Sequence, residues 1–391
     1  MGNRIQTIDV LRALTMFLMI FVNDLWSLTG VPDWLKHTAA DEDGMGFSDI
    51  IFPLFLFIVG LSIPLAINIR FQKKETVAKI SWHVLVRTLA LLVMGVFMVN
   101  FESIYDKAMI MNKSIWEIIM ALAIFLIWMH YKRNPKISKV HENVLKGVGV
   151  LLLIFLAWIY KGGSAEETIW MRTHWWGILG LIGWAYLLNS FLYLFLRKRG
   201  VLLLVAFVIL LFMNVQESGY FEMLPSFKIV ISASNHVLVM GGVLCTVLYL
   251  KFKEQGRGII SFLGIISVMG MVFLAYGFLI RPEFPISKIL ATPSWTAICI
   301  GIGLLSYVLL YLLVDILGYS KWAKPIKPAG TSTLTCYLMP YFIYPVIILI
   351  GFQWPEFLSH GIVGIVKSLL FSFLIILFVG FLEKRNLTLK I

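Results

Sequence analysis

The sequence predicts an all-α fold, a polytopic membrane helix bundle of about twelve spans (about ten at the fewest), each ~20 apolar residues long. Three observations carry this. Hydrophobic residues make up 60% of the 391 residues and the mean hydropathy is +0.89, beyond the roughly half-apolar composition of soluble domains. Apolar runs long enough to cross a bilayer recur from one end of the chain to the other. Between them the cations gather on alternate connections. Only 14% of residues are charged, so no stretch reads as a soluble domain and residues 1–391 form a single transmembrane domain. The bilayer core offers no water to backbone N–H and C=O groups, and helices satisfy them internally.

In chain order the runs fall near 8–28, 47–69, 80–100, 114–130, 143–160, 175–196, 201–216, 233–250, 259–280, 295–317, 330–351 and 362–382. The seventh is short and the twelfth carries Lys367, which makes these two the weakest. Local signals mark several starts. Ser48 can cap the second span, with Pro53 in its first turns, where missing backbone donors cost least. Ser114 and Glu117 form the S-x-x-E pattern of a capping box, which gives Glu117 a structural role. Thr331 to Thr333 can cap the eleventh.

An even number of spans puts both termini on one side. On that side fall 21 cations, in clusters such as Arg70, Lys73 and Lys74, or Arg197, Lys198 and Arg199; eight, among them Lys36, Lys107 and Lys288, fall on the other. The positive-inside bias makes the first side cytoplasmic. This distribution also accounts for the net charge of +12 without nucleic acid: the partner it implies is the lipid bilayer. Cys245, Cys299 and Cys336 all lie in apolar runs at spacings that suit neither zinc nor a disulfide framework. The first run is long and lacks a small-residue cleavage site, so it reads as a retained span.

Chemistry is expected in the loop after the first span, which holds the densest polar cluster: His37, Asp41, Glu42, Asp43, Ser48 and Asp49, with Asn23 and Asp24 just upstream. Trp34 and Leu35 would seat this loop on the bundle, and a carboxylate near His37 would hold its imidazole in the tautomer a general base needs. No metal is expected, because a tight ligand shell needs more imidazoles or carboxylates than the loop supplies. Inside the membrane an ionisable group costs about 2.5 kcal/mol or more and needs a reason. Asp9 and Arg12 can pair on one helical turn. Arg87 lies deeper and suits a carboxylate or phosphate; with His83, four residues before it, it could line a polar passage. Asp315 is near enough to a span end to reach interfacial water.

The stretch TIDVLRALTMFLMIFVN (Thr7 to Asn23), Lys36 and His37, and FSDIIFPLFLFIVG (Phe47 to Gly60) resemble the heparan-alpha-glucosaminide N-acetyltransferase family and its bacterial relatives. The resemblance continues through Arg87 to Asn100, Trp176 to Leu188, and the ATPSWT segment with the apolar run ending at Asp315. It implies a transmembrane acyltransferase with acetyl-CoA as cytoplasmic donor and a terminal amino sugar of a glycan as acceptor on the other side. It also implies a catalytic histidine matching His37, an asparagine matching Asn23, and a homodimer. The loop from His37 to Asp49 is longer and more acidic than in the heparan enzymes, and the chain is expected to lack the large lumenal region of the lysosomal one.

On this reading His37 is the base, Asn23 assists the oxyanion, and Asp24, Asp41, Asp43 and Asp49 orient the imidazole or bind the acceptor. Arg87, Lys324 and Lys327 hold the donor, the two lysines by preceding a helix N-terminus that favours phosphate. The rival reading is a proton-coupled transporter of a small polar or sugar-like solute, since many spans with intramembrane Arg and His also fit a carrier. Against it stand the missing internal repeat and a polar cluster in an outer loop rather than at the midplane.

Overall fold

The computed structural model describes residues 5–131, 137–219 and 229–391. Arg4, Lys132, Arg133, Lys136 and Lys228 of the charge count lie outside the described residues. Helices dominate: α1 (Gln6–Asp24), α2 (Ser48–Gln72), α3 (Val77–Glu102), α4 (Lys113–Trp128), α5 (Lys139–Ile159), α6 (Ile178–Leu196), α7 (Gly200–Glu217), α8 (Ala233–Glu254), α9 (Ile259–Leu279) and α10 (Pro293–Tyr311). After these come the short α11 (Lys327–Thr331), α12 (Thr333–Leu338) and α13 (Pro340–Leu349), then the long α14 (Gly361–Lys384). One two-residue hairpin, β1 (Gly162–Gly163) with β2 (Thr168–Ile169), interrupts the connection from α5 to α6.

Each expected apolar run forms helix, but the runs differ in span quality. Among the described residues nine helices are long and apolar enough to cross a membrane: α2, α3, α5 to α9, α10 with its extension to Ile316, and α14. At 1.5 Å per residue the 25 residues of α2 reach about 37 Å, more than a hydrocarbon core of ~30 Å. The two spans expected to be weakest are within this set. Lys367 of α14 is neutralised by Asp24 of α1 at 3.2 Å, both nearly buried. Outside the set are α1, the 16-residue α4 and the broken eleventh run. That run breaks where Ser332 leaves helical geometry (φ −125°, ψ 43°) and where Pro340 removes the amide that would bond Cys336. Thr331 and Thr333 do not cap it; their hydroxyls bond back to the Lys327 and Ala329 carbonyls.

Two other capping expectations fail for local reasons. Asn112 caps α4 by accepting from the Ser114 amide at 2.8 Å, so Ser114 is already inside the helix and Glu117 is released from any capping role. Ser48 donates its hydroxyl to the Leu35 carbonyl at 2.6 Å instead of capping α2. Asp315 is exposed near the end of its span, as expected, and has a structural role as well. It sits in a π-helical turn, Leu312–Ile316, and accepts from the Gln6 and Thr7 amides at 3.3 and 2.8 Å, completing the N-terminus of α1.

The centre of the bundle is α2, α8 and α10, while α5, α7 and α9 present most of their surface outward. Close approach of α2 to α8 requires glycine. A Cβ on Gly60 would run into the Val239 carbonyl, and one on Gly242 into that of Phe57. Small residues allow such backbone contact, which drives helix association in lipid. The tight α2–α8 pair holds the N-terminal turn of α2 in place, and that turn carries the site.

Candidate active site

The loop from α1 to α2 is built to return on itself. The Phe47 amide bonds the Trp34 carbonyl at 2.7 Å, and Ser48 ties down Leu35, whose side chain is buried; Trp34 faces outward and does not seat the loop. A Cβ on Gly46 would collide with the Lys36 carbonyl, so glycine is what lets the return strand pass so close to His37. Further out, Asp43 receives the Arg281 guanidinium at 2.9 Å and the Ile286 amide at 2.7 Å, which clamps the loop onto the connection from α9 to α10. The Ile286 amide and the Arg281 charge hold the Asp43 carboxyl below its ordinary range against a smaller effect of burial.

This folding brings one carboxylate to the histidine. Asp49, 1% exposed in the first turn of α2, lies 2.6 Å from His37 Nδ1 through Oδ1. Its Oδ2 accepts from the Thr38 and Gly46 amides at 3.1 and 3.0 Å. Its backbone is fixed as well. Pro53 has no amide to offer the Asp49 carbonyl, and Trp295 Nε1 donates to that carbonyl at 3.3 Å instead.

Lys288 joins the pair from the connection before α10, with Nζ 3.1 Å from His37 Nδ1 and 3.7 Å from Asp49 Oδ1. Nδ1 cannot both donate to Asp49 and accept from Lys288. A carboxylate flanked by two backbone amides is acceptor-only, so the network assigns the proton to Nδ1 and leaves Nε2 as the basic nitrogen. Lys288 then acts as a neighbouring charge. Burial lowers its pKa while the Asp49 carboxylate opposes that effect.

His37, Lys288 and Asn23 line a cavity of about 1070 Å³ between α1, α2, α3 and α13. Asn23 is exposed to it from the last turn of α1. The other expected site residues are elsewhere. Asp24 points away and accepts from Tyr344 at 2.6 Å, from Ser368, and from Lys367 at 3.2 Å. Asp41 is exposed on the loop, and Asp43 serves the Arg281 clamp. Arg87 is not among the residues lining this cavity; its guanidinium carbon sits 4.9 Å over the Tyr186 ring, and its buried Nε has no hydrogen bond among the described residues. Lys324 and Lys327 are exposed at the opposite end of the bundle, but the helix they precede or begin, α11, is only five residues long. Two cavity residues escaped the sequence: Lys288, 251 positions from His37, and Glu117, which matched a capping pattern it does not use.

The geometry therefore defines a helical membrane protein in which a carboxylate-held imidazole faces a large cavity. Residues 4–138 match the family model described as heparan-alpha-glucosaminide N-acetyltransferase, catalytic. Asn23, His37, Asp49 and Glu117 all fall inside the matched stretch. The chain is also similar to the heparan-alpha-glucosaminide N-acetyltransferase of Mus musculus, at 33% identity over 100 residues, and to that of Homo sapiens, at 33% over 102. Each alignment covers 25% of this chain and 14% of the relative's length.

Proposed function

We propose that this chain is a transmembrane acetyltransferase that moves an acetyl group from cytoplasmic acetyl-CoA to an amino sugar of an extracytoplasmic glycan. The observation that carries it is the His37–Asp49 contact of 2.6 Å at the wall of a cavity shared with Asn23. Asp49 holds the imidazole by Nδ1, and Nε2 takes a proton from the acceptor nitrogen as that nitrogen attacks the thioester carbonyl. The Asn23 amide donates to the tetrahedral oxyanion. As the C–S bond breaks, His37 returns the proton to the CoA sulfur. A second route places the acetyl group on His37 before the acceptor receives it.

The cation bias supports cytoplasmic termini, an inner-membrane setting and an extracytoplasmic His37 loop. Lys324 and Lys327, exposed at the opposite end, suit the donor's phosphates. The pantetheine arm would then cross a core about 30 Å thick to reach the cavity. A homodimer is proposed on the family resemblance alone. In the test, His37→Ala should transfer acetyl to glucosamine about 10²-fold or more slowly while still binding acetyl-CoA, since the loop lies outside the spans. Wild-type transfer by that variant would remove His37 from the chemistry.

A further inference from the structure

Two carboxylates that the His37 pairing does not use line the cavity, the exposed Glu102 and the buried Glu117. Glu117, in the first turns of α4, is 6% exposed and lines the same cavity. Among the described residues it has no hydrogen bond and no ion-pair partner; Lys113 acts on it only through space. The aspartates of the bundle behave differently, the buried Asp24 and Asp49 as well as the exposed Asp43 and Asp315. Asp24, Asp43, Asp49 and Asp315 each accept at least two hydrogen bonds from the protein. Taking a carboxylate from water with no partner is costly, which favours the neutral acid while the cavity is empty and the charged form once a cation enters it, so Glu117 can both bind a cation and accept its proton. Around it are the carboxylate of Glu102 from α3, the Lys113 ammonium 4.8 Å over the Phe101 ring, and the phenols of Tyr337 and Tyr341. Carboxylate beside aromatic faces is a setting that favours an organic cation.

The proposed chemistry needs a second proton acceptor, and this inference rests on that acetyltransferase reading. An amino group on a sugar carbon, like an α-amino group of pKa about 7.7–8.0, is mostly ammonium at neutral pH and has no lone pair. It must lose one proton before attack and another as the amide forms. His37, with Nδ1 committed to Asp49, has one nitrogen for the second proton.

We propose that Glu117 binds the acceptor's ammonium and takes the first proton, which makes primary alkyl-ammonium compounds the acceptor class. The neutral amine nitrogen then forms its bond to the acetyl carbon and the C–S bond breaks. The second N–H proton passes through His37 Nε2 to the CoA thiolate. Glu117 finally releases its proton to water, so ammonium and acetyl-CoA become amide, CoA thiol and one free proton.

The test compares two acceptors with the purified full chain and acetyl-CoA: glucosamine, and methoxyamine, which is already neutral at pH 7. Glu117→Gln should lose about 10²-fold with glucosamine and stay within about threefold of wild type with methoxyamine. Raising the pH should recover much of its glucosamine rate, because solvent then supplies neutral amine. Equal loss with both acceptors, or no loss with glucosamine, overturns the proposal. His37→Ala should lose both activities. Wild-type protein that acetylates neither acceptor would remove the acetyltransferase reading and this proposal with it.

Discussion

An imidazole works as a base only while the nitrogen facing the substrate is unprotonated, so the partner on its other nitrogen decides what it can do. Here that partner is Asp49, itself held by two backbone amides and by Trp295 on its carbonyl. Asp49→Asn should therefore lower acetyl transfer by about 10²-fold or more, because the amide allows the other tautomer and leaves Lys288 without its counter-charge. The measurement is the transfer rate beside a thermal melt in detergent. A wild-type rate in Asp49→Asn would reduce the pairing to a loop tether. At this scale the sequence indicated the neighbourhood but not the partner. Five carboxylates lie within about a dozen residues of His37 in the chain, and only the return of the loop through Gly46 selects Asp49. Lys288 carried no signal, since its contact depends on how the connection before α10 packs against the clamp at Asp43.

Between elements, the site depends on how closely α2 lies on α8. Gly60 and Gly242 let two backbones touch, and the overlap of an added Cβ is with backbone, which cannot rotate away. Gly60→Ala should separate the helices at a cost of about 1–3 kcal/mol or more, as overpacking does, and lower the melting temperature in detergent. An unchanged melt would show that α2 and α8 can part without loss. Element existence was legible because bilayer thickness imposes a length that composition reveals. Element ends were less so. The eleventh run reads as one apolar stretch, yet Ser332 and Pro340 cut it into three. The S-x-x-E pattern at Ser114 was a true capping signature that lost to Asn112, two residues earlier. That loss is what frees Glu117 to face the cavity.

For the whole molecule, the charges and the cavity make one argument. On the proposed reading the cation count argues for an outward His37 loop, and the donor's phosphates pair with the cations on the other side. The acetyl group must then cross the bilayer within the protein, and sidedness becomes the property that separates this account from an ordinary acetyltransferase or a carrier. The direct measurement uses purified protein in sealed liposomes, oriented with the His37 loop outward, with labelled acetyl-CoA trapped inside and glucosamine only outside. The account predicts labelled N-acetylglucosamine in the outer solution while CoA stays inside, and none with His37→Ala. Product that forms only when donor and acceptor share a side would contradict it.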